Sequence, residues 1–527
     1  MTLVARWPGL VVRVGLALSV LAHAALAEAD PPVDVWVEGQ ERAPTESQRD
    51  PTVAAFVLDA KELDRPGRTL ADALSTVPGV EVTRAGGGAD LATASLRGAT
   101  SAQTPIHLAG IRLNDDLTGT VDLSSLPMWM LRRVEVDRGA APTSADRLAV
   151  GGAIFLEPRV PSRTSARLSL GAGSFAQREL RGAVSIGSPH AAVSLAVRTD
   201  AARDDFEYRD DRGTGFDPSD DRLVPRRNAD HAGTDAWAVA RWGSGSTRLR
   251  AVAHALVRES GAPGLQVVPA LAARADLGRG LAGVSGEHDV VQGRVEWALD
   301  GLVTRYRLDD PARELGGALN TASSGQRTRQ RVRYHRDIRQ FVSLSVGLAQ
   351  ELQRLEVVEE ASSLEARRHL LHGDVELRLF KGERGLVLGA VAIDCHTTSA
   401  GRTAETCGIL APSGRIGARV SLGAGAAVFG NVGRYVREPT LGELYGISSA
   451  LRGNDGLVPE TGSAIDLGVV VARRDGPLSG HVQIDAFVRY ADELIAFERS
   501  SFGTVRPYNV GSARTLGAEL ALGGPIV

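Results

Sequence analysis

A two-residue rhythm sets in after Pro161 and persists almost to the end of the chain, and it limits what the chain can fold into more than any other feature. "AVSLAVRTD", "AWAVARW", "TRLRAVAHALV", "FVSLSVGLAQELQ", "HVQIDAFVRY" and "ARTLGAELAL" alternate small or apolar residues with polar ones. Successive strand side chains point to opposite faces, so alternation over about ten residues describes strands with one apolar and one polar face. The connections alternate as well. "GSPHA" and "GSGS" are tight turns, whereas "RDDFEYRDDRGTGFDPSDDRLVPRRNADH" and the region around "ESGAPGLQVVPALAARA" are long. Short turns at one end and long loops at the other describe a transmembrane antiparallel β-barrel over residues 160–527, apolar face to lipid and polar face to the lumen. A soluble β-sandwich has the same period but lacks that rhythm. Aromatic residues make up only 5% of the chain, so the interfacial girdles should be thin.

Ahead of the barrel lie three other segments. Arg6 and Arg13, the apolar run "VGLALSVLAHAALA" and Ala25-Leu26-Ala27 form an export signal over residues 1–27. Past it, no stretch is apolar for the ~20 residues a membrane helix needs. Export implies an oxidising compartment, where Cys395 and Cys407, the chain's two cysteines, are expected to pair in an outside loop. Residues 28–51 are polar apart from Val33-Asp34-Val35-Trp36-Val37, an alternation able to add as an edge strand to a partner's sheet. Residues 52–159 are mixed. Leu70, Ala73, Leu74 and Val77 have helical spacing, Pro78-Gly79 ends that helix, and "ASLRG", "PIHLAGIRLND", "RRVEVDRG" and "GGAIFLEP" read as short strands of a small α/β domain.

The formal net charge of −3 points to no polyanionic partner. Without a G-x-S-x-G, an H-E-x-x-H or a phosphate loop, an enzyme is not expected. The acidic run Asp204–Asp221 offers oxygen ligands of the kind Ca²⁺ takes, but such a run is more often a solvated loop, and no metal site or cofactor is assigned.

In series, several motifs resemble the TonB-dependent outer-membrane receptors, most closely their siderophore and cobalamin receptors. "LADALSTVPGVEV" is similar to the first helix and strand of the family's plug. "SLRGATSAQTPIHLAGIRLND" is similar to its next element, with Ala109 where the family has Asp. "LRRVEVDRGAAP" is similar to the family's ierIEVlrGP element and "LAVGGAIFLEP" to its A-x-GG-v-I-n-i-x-T element, although "SADRLA" replaces a usual Tyr-Gly pair. "NVGRYVREPTLGELYG", "RGNDGLVPETGSAIDLGV" and "YNVGSARTLGAEL" are similar to the barrel.

The resemblance implies a plug, residues 52–159, seated inside the lumen of a 22-strand type of barrel. About sixteen strand segments can be picked out, so the barrel is expected to lack its C-terminal strands. Val33, Asp34, Val35, Trp36 and Val37 become the candidate TonB box, gripped by TonB working with ExbB and ExbD in the inner membrane. Arg84, Asp90, Asn114, Asp115 and Asp116 at the plug apices become candidate ligand-binding groups, or alternatively plain turn formers. Arg97, Glu135 and Arg138 become candidate plug–barrel contacts.

The implied function is import by a monomer in a Gram-negative outer membrane. Its ligand would be a ferric siderophore or another metal chelate, with cobalamin or an oligosaccharide as the alternative. A passive or nonfunctional barrel remnant is the competing reading.

Overall fold

The computed structural model describes residues 47–523 except 48, 64, 66, 88–89, 140, 142–150, 161–162, 215, 266–267, 316–319, 361, 382–383, 401–408, 474–479 and 501–503. The export signal and Val33–Val37 therefore lie outside the described residues.

The first part is a globule with seven strands: β1 (Ala54–Leu58), β2 (Val80–Arg84), β3 (Ala92–Leu96), β4 (Ile106–Leu108), β5 (Ile111–Arg112), β6 (Leu131–Arg138) and β7 (Gly152–Pro158). Five of them form one sheet in the order β1-β6-β7-β4-β5, while β2 and β3 pair as a separate hairpin. β4 runs parallel to β7, and the other neighbours are antiparallel. The expected helix forms at Leu70–Leu74, where Thr69 and Asp72 cap its first turn reciprocally. Leu70, Ala73, Leu74 and Val77 are all buried, joining Leu96, Leu108 and Val134 in one core. Upstream of residue 52, Ser47 and Arg49 bond to its sheet and Pro51 O accepts from Arg419 of the wall around it.

That wall is a sheet of sixteen strands running from Ser165–Ala172 to Val505–Gly523, each antiparallel to its neighbours. Its strands reach 20 residues, as in Gly480–Arg499. Among the described residues the first and last strands are each paired on one side only, so the sheet is not closed.

Burial in the wall is the inverse of that in a soluble protein. Ile484 is 54% exposed while its neighbour Asp485 is 2% exposed, and Leu467 is 59% exposed beside Asp466 at 6%. The apolar side chains point away from the globule and the polar ones toward it, as a wall in lipid requires. Four of the exposed aromatics, Trp242, Trp297, Phe341 and Phe380, sit near the short turns where a girdle should be, whereas Phe175, Phe216, Phe497 and Tyr508 lie toward the long loops. No helix among the described residues is long and apolar enough to cross a membrane, so any crossing belongs to the strands.

Candidate functional site

Two arginines seat the globule against the wall. Arg97 follows β3 in a left-handed turn (φ 49°), and Arg138 ends β6. Both reach Glu519 on the last wall strand. Arg97 bonds it bidentately at 2.8 and 3.0 Å, and Arg138 bonds it at 2.8 Å. Arg138 also lies 3.3 Å from Asp485, and the Arg97 guanidinium stands 4.7 Å over the Phe487 ring. Asp485 and Glu519 face each other directly across adjacent strands. Like charges so placed repel, and the two guanidinium groups turn that repulsion into a receptor for the globule. The approach is tight. Gly79 (φ +77°) lies so close that an added Cβ would meet the Glu519 carboxylate at 2.2 Å.

Glu135, expected at the same interface, is engaged differently. Its carboxylate takes Ser47 Oγ at 2.8 Å, Arg49 at 3.1 Å and Arg133 at 3.2 Å, all within the globule. On β6 it faces away from the Arg138 end, toward the segment that enters the globule.

Sequence reasoning missed a second set of contacts, in which wall arginines grip globule backbone. Arg258 bonds Ser124 O at 2.9 Å and Arg279 bonds Ser125 O at 2.9 Å. Arg329 bonds Gly110 O at 2.8 Å and Arg327 bonds Asn114 O at 2.8 Å. Guanidinium groups suit this work because they stay charged and offer several fixed donors. Their inward position follows from strand alternation, but which carbonyl each one meets depends on the fold.

On the side of the long loops the globule and wall line an open cleft with a cavity volume of about 100 Å³. Asn114, Asp115 and Asp116 line it from the globule, and Arg327, Arg368 and Arg437 from the wall and its loops. The sequence thus marked three of its residues. Asn114 holds its own turn together, accepting from Ile106 N at 2.9 Å and donating to Thr104 O and Gly119 O. Asp115 accepts from Leu117 N and Thr118 N through one oxygen. Burial pushes the Asp115 carboxyl up to about 6. Asp116 lies 3.3 Å from Arg327, and burial outweighs that cation, so its carboxyl is also raised.

The remaining candidates are apart from the cleft. Arg84 pairs with Asp72 of the Leu70–Leu74 helix. Asp90 pairs at 2.5 Å with Arg226, at the end of the long 203–230 connection, so it ties an apex to an outside loop. Cys395 is disulfide-bonded, and Cys407 lies outside the described residues. No group of histidine, cysteine and carboxylate residues among those described could hold a metal ion.

A globule held by charged seats against the polar face of a long antiparallel sheet, with an open cleft toward the long loops, defines a plug-and-barrel protein. Residues 47–153 match the TonB-dependent Receptor Plug Domain, and residues 388–525 match the family "TonB dependent receptor-like, beta-barrel". The chain belongs to the TonB-dependent receptors.

Two curated relatives are Vitamin B12 transporters BtuB. That of Vibrio vulnificus is 32% identical over 125 residues, 23% of this chain and 20% of the relative. That of Photobacterium profundum is 27% identical over 196 residues, 36% of this chain and 31% of the relative. The match thus spans about a fifth to a third of these relatives' length. Among solved structures, the Copper transporter OprC is 17% identical with a TM-score of 0.69, over 91% of this chain and 77% of that one. A mutant of the ferric enterobactin receptor (PfeA) from Pseudomonas aeruginosa is 15% identical with a TM-score of 0.68, over 90% and 78%. At these identities the structures establish the shared fold.

Proposed function

We propose that this protein is an outer-membrane importer that binds a scarce metal chelate, a ferric siderophore in the leading case, and passes it to the periplasm. The carrying observation is the cleft: it opens toward the long loops, and both its floor (Asn114, Asp115, Asp116) and its rim (Arg327, Arg437) are polar. Arg437 is held by Glu443 and by Glu460, with bonds of 2.7 and 2.8 Å to Glu460, so the rim is set before a ligand arrives.

A seated plug blocks the lumen, so passage requires that it be moved. The outer membrane offers neither nucleotide nor usable ion gradient. Traction from TonB, energised with ExbB and ExbD, would enter through Val33–Val37 by strand addition. The receptor would act as a monomer, because the lumen of one chain holds both plug and cleft. A second reading, cobalamin import, is favoured by the Vitamin B12 transporters among the relatives.

The test is a titration of the purified protein in detergent with a ferric catecholate, a ferric hydroxamate and cyanocobalamin, followed by uptake in cells. One ferric chelate should saturate the protein, and Asp116→Ala should weaken it at least tenfold. Deleting residues 29–39 should abolish uptake with binding intact. Saturation by cyanocobalamin alone would establish the second reading, and binding of none of the three would overturn both.

A further inference from the structure

Across three adjacent wall strands, Arg327, Gln353 and Arg368 stand side by side. Gln353 lies on the strand Val342–Glu359. Directly opposite it are Arg327 of the strand Asn320–Arg339 on one flank and Arg368 of the strand Ser363–Lys381 on the other. Strand parity turns all three to the inner face, where each is buried and each lines the cleft. Neighbouring strands are ~4.8 Å apart, so the row sets one neutral amide between two guanidinium-bearing chains within reach of a single small group. The arginines lining the cleft also outnumber its carboxylates, which favours a ligand with negative charge.

The amide of Gln353 can be oriented in only one way. Its Nε2 donates to Glu351 Oε1, an oxygen that also takes Arg112 of the plug at 2.6 Å. An ionised carboxylate only accepts, so the flipped amide would set oxygen against oxygen. That leaves the carbonyl without a donor: Gln353 Oε1 is buried with no hydrogen-bond partner among the described residues. The flanking guanidinium groups are turned to other atoms. Arg327 bonds Asn114 O at 2.8 Å and lies 3.3 Å from Asp116, while Arg368 Nε donates to Thr398 Oγ1 at 2.9 Å. A buried acceptor at the edge of a cleft, with no donor from the protein, is a bond left for what enters the cleft.

We infer that Gln353 is a specificity-determining residue: the cleft takes an anionic ligand group that carries an O–H or N–H donor beside its charged oxygens, the donor going to Gln353 Oε1 and the oxygens to the arginine side of the row. An α-hydroxycarboxylate is the smallest group with that pattern. A ligand of the same charge without the donor satisfies the arginines but leaves the Gln353 carbonyl buried and unpaired in the complex. A site that hydrogen-bonds a ligand donor rejects the analogue lacking it for that reason. Gln353 is fixed by Glu351 before any ligand arrives, so little ordering is spent on the choice. The inference rests on the cleft being the ligand site of the proposed importer, and adds which group that site reads.

The test is a titration of the full chain in detergent with citrate and, separately, with tricarballylate, which keeps the carboxylates of citrate and lacks its hydroxyl. Both probes are used without metal, so that the hydroxyl keeps its proton, and dissociation constants are read by ligand-observed NMR. Citrate should bind at least about tenfold more tightly. Q353M keeps the length of the side chain and removes both polar atoms; it should erase that preference by weakening citrate while leaving tricarballylate almost unchanged. Equal affinities in the parent protein, or binding of neither probe, would overturn the inference without recourse to any variant; equal affinities are what an ordered water on Gln353 Oε1 would give. A preference that survives in Q353M would overturn it, and so would an equal loss for both probes, since Gln353 would then only support Glu351. A ferric chelate that saturates the protein while the two probes bind alike would sink this inference and leave the import reading standing. Preference for citrate with no chelate or cobalamin bound would sink the import reading alone.

Discussion

Plug and wall are made from the same amino acids sorted in opposite directions. In the plug, Leu74 and Leu96 are fully buried and Arg84 and Asp72 face out, as in any water-soluble domain. In the wall, Asp466 and Asp485 are buried while Leu467 and Ile484 are bare. The plug is held together by apolar burial, whereas the inner face of the wall is held by charge pairing against the plug. The interface thus pairs two surfaces that each lack something. Asp485 and Glu519 repel one another until Arg97 and Arg138 arrive, and those guanidinium groups have no water once the plug is seated.

The sharpest way to break this comparison is to remove one side of the seat. Arg138→Met should destabilise the seated plug by about 3–5 kcal/mol, because it leaves Asp485 and Glu519 buried with one cation between them. Urea unfolding of the plug in detergent measures the loss. Arg138→Met combined with Glu519→Gln should recover more than half of it. An equal loss in both variants would mean that Arg138 acts by packing rather than by charge.

Making one substitution in both regions sharpens the contrast. Leu74→Ala removes a fully buried side chain from the plug core and should cost about 2–5 kcal/mol. Leu467→Ala removes a side chain from the outward face of the wall, where lipid or detergent tails would be as apolar as leucine itself, and should stay within about 1 kcal/mol. Similar losses at the two sites, measured by the same urea titration, would show that the outward face of the wall packs against protein rather than lipid.

Much of this arrangement was legible in the sequence, because side-chain direction in a strand is fixed by parity. The turns at "GSPHA" and "GSGS", the long 203–230 connection and the helix at Leu70 all fall where the local pattern places them. Parity also tells which residues face inward, but not what they meet. Arg97 finds Glu519 across 422 positions of chain, and no local pattern carries that pairing. Glu135 shows the limit from the other side. A charged residue on β6 suggests the wall, yet two of its bonded partners, Ser47 and Arg49, come from a segment that reads as linker because it has almost nothing apolar to bury. Asn114 and Asp115 were ambiguous between turn and site, and both descriptions hold, since the bonds that shape their turn also fix the floor of the cleft.

Asp115 gives the smallest and most localised test, because it lies where plug and wall meet around space rather than in contact. Its carboxyl ordinarily titrates at 3.8 and is pushed up to about 6 by burial, against the two backbone amides that favour its charge. A carboxyl raised in this way adds stability below its ordinary range and loses that contribution as pH climbs through about 6. Above that, the folded protein carries a buried anion that the unfolded chain would keep in water. Asp115→Asn retains an acceptor for Leu117 N and Thr118 N but cannot ionise. The variant should therefore match or trail the parent at about pH 4 and exceed it by up to about 3 kcal/mol at about pH 7.5. Asp116, raised by the same burial, should shift downward in the variant once its charged neighbour is gone, which trims the difference but keeps its sign. Urea midpoints of the two proteins at both pH values decide the matter. A difference independent of pH would mean that Asp115 is solvated through the open cleft, and so that the cleft is wetter than its walls suggest.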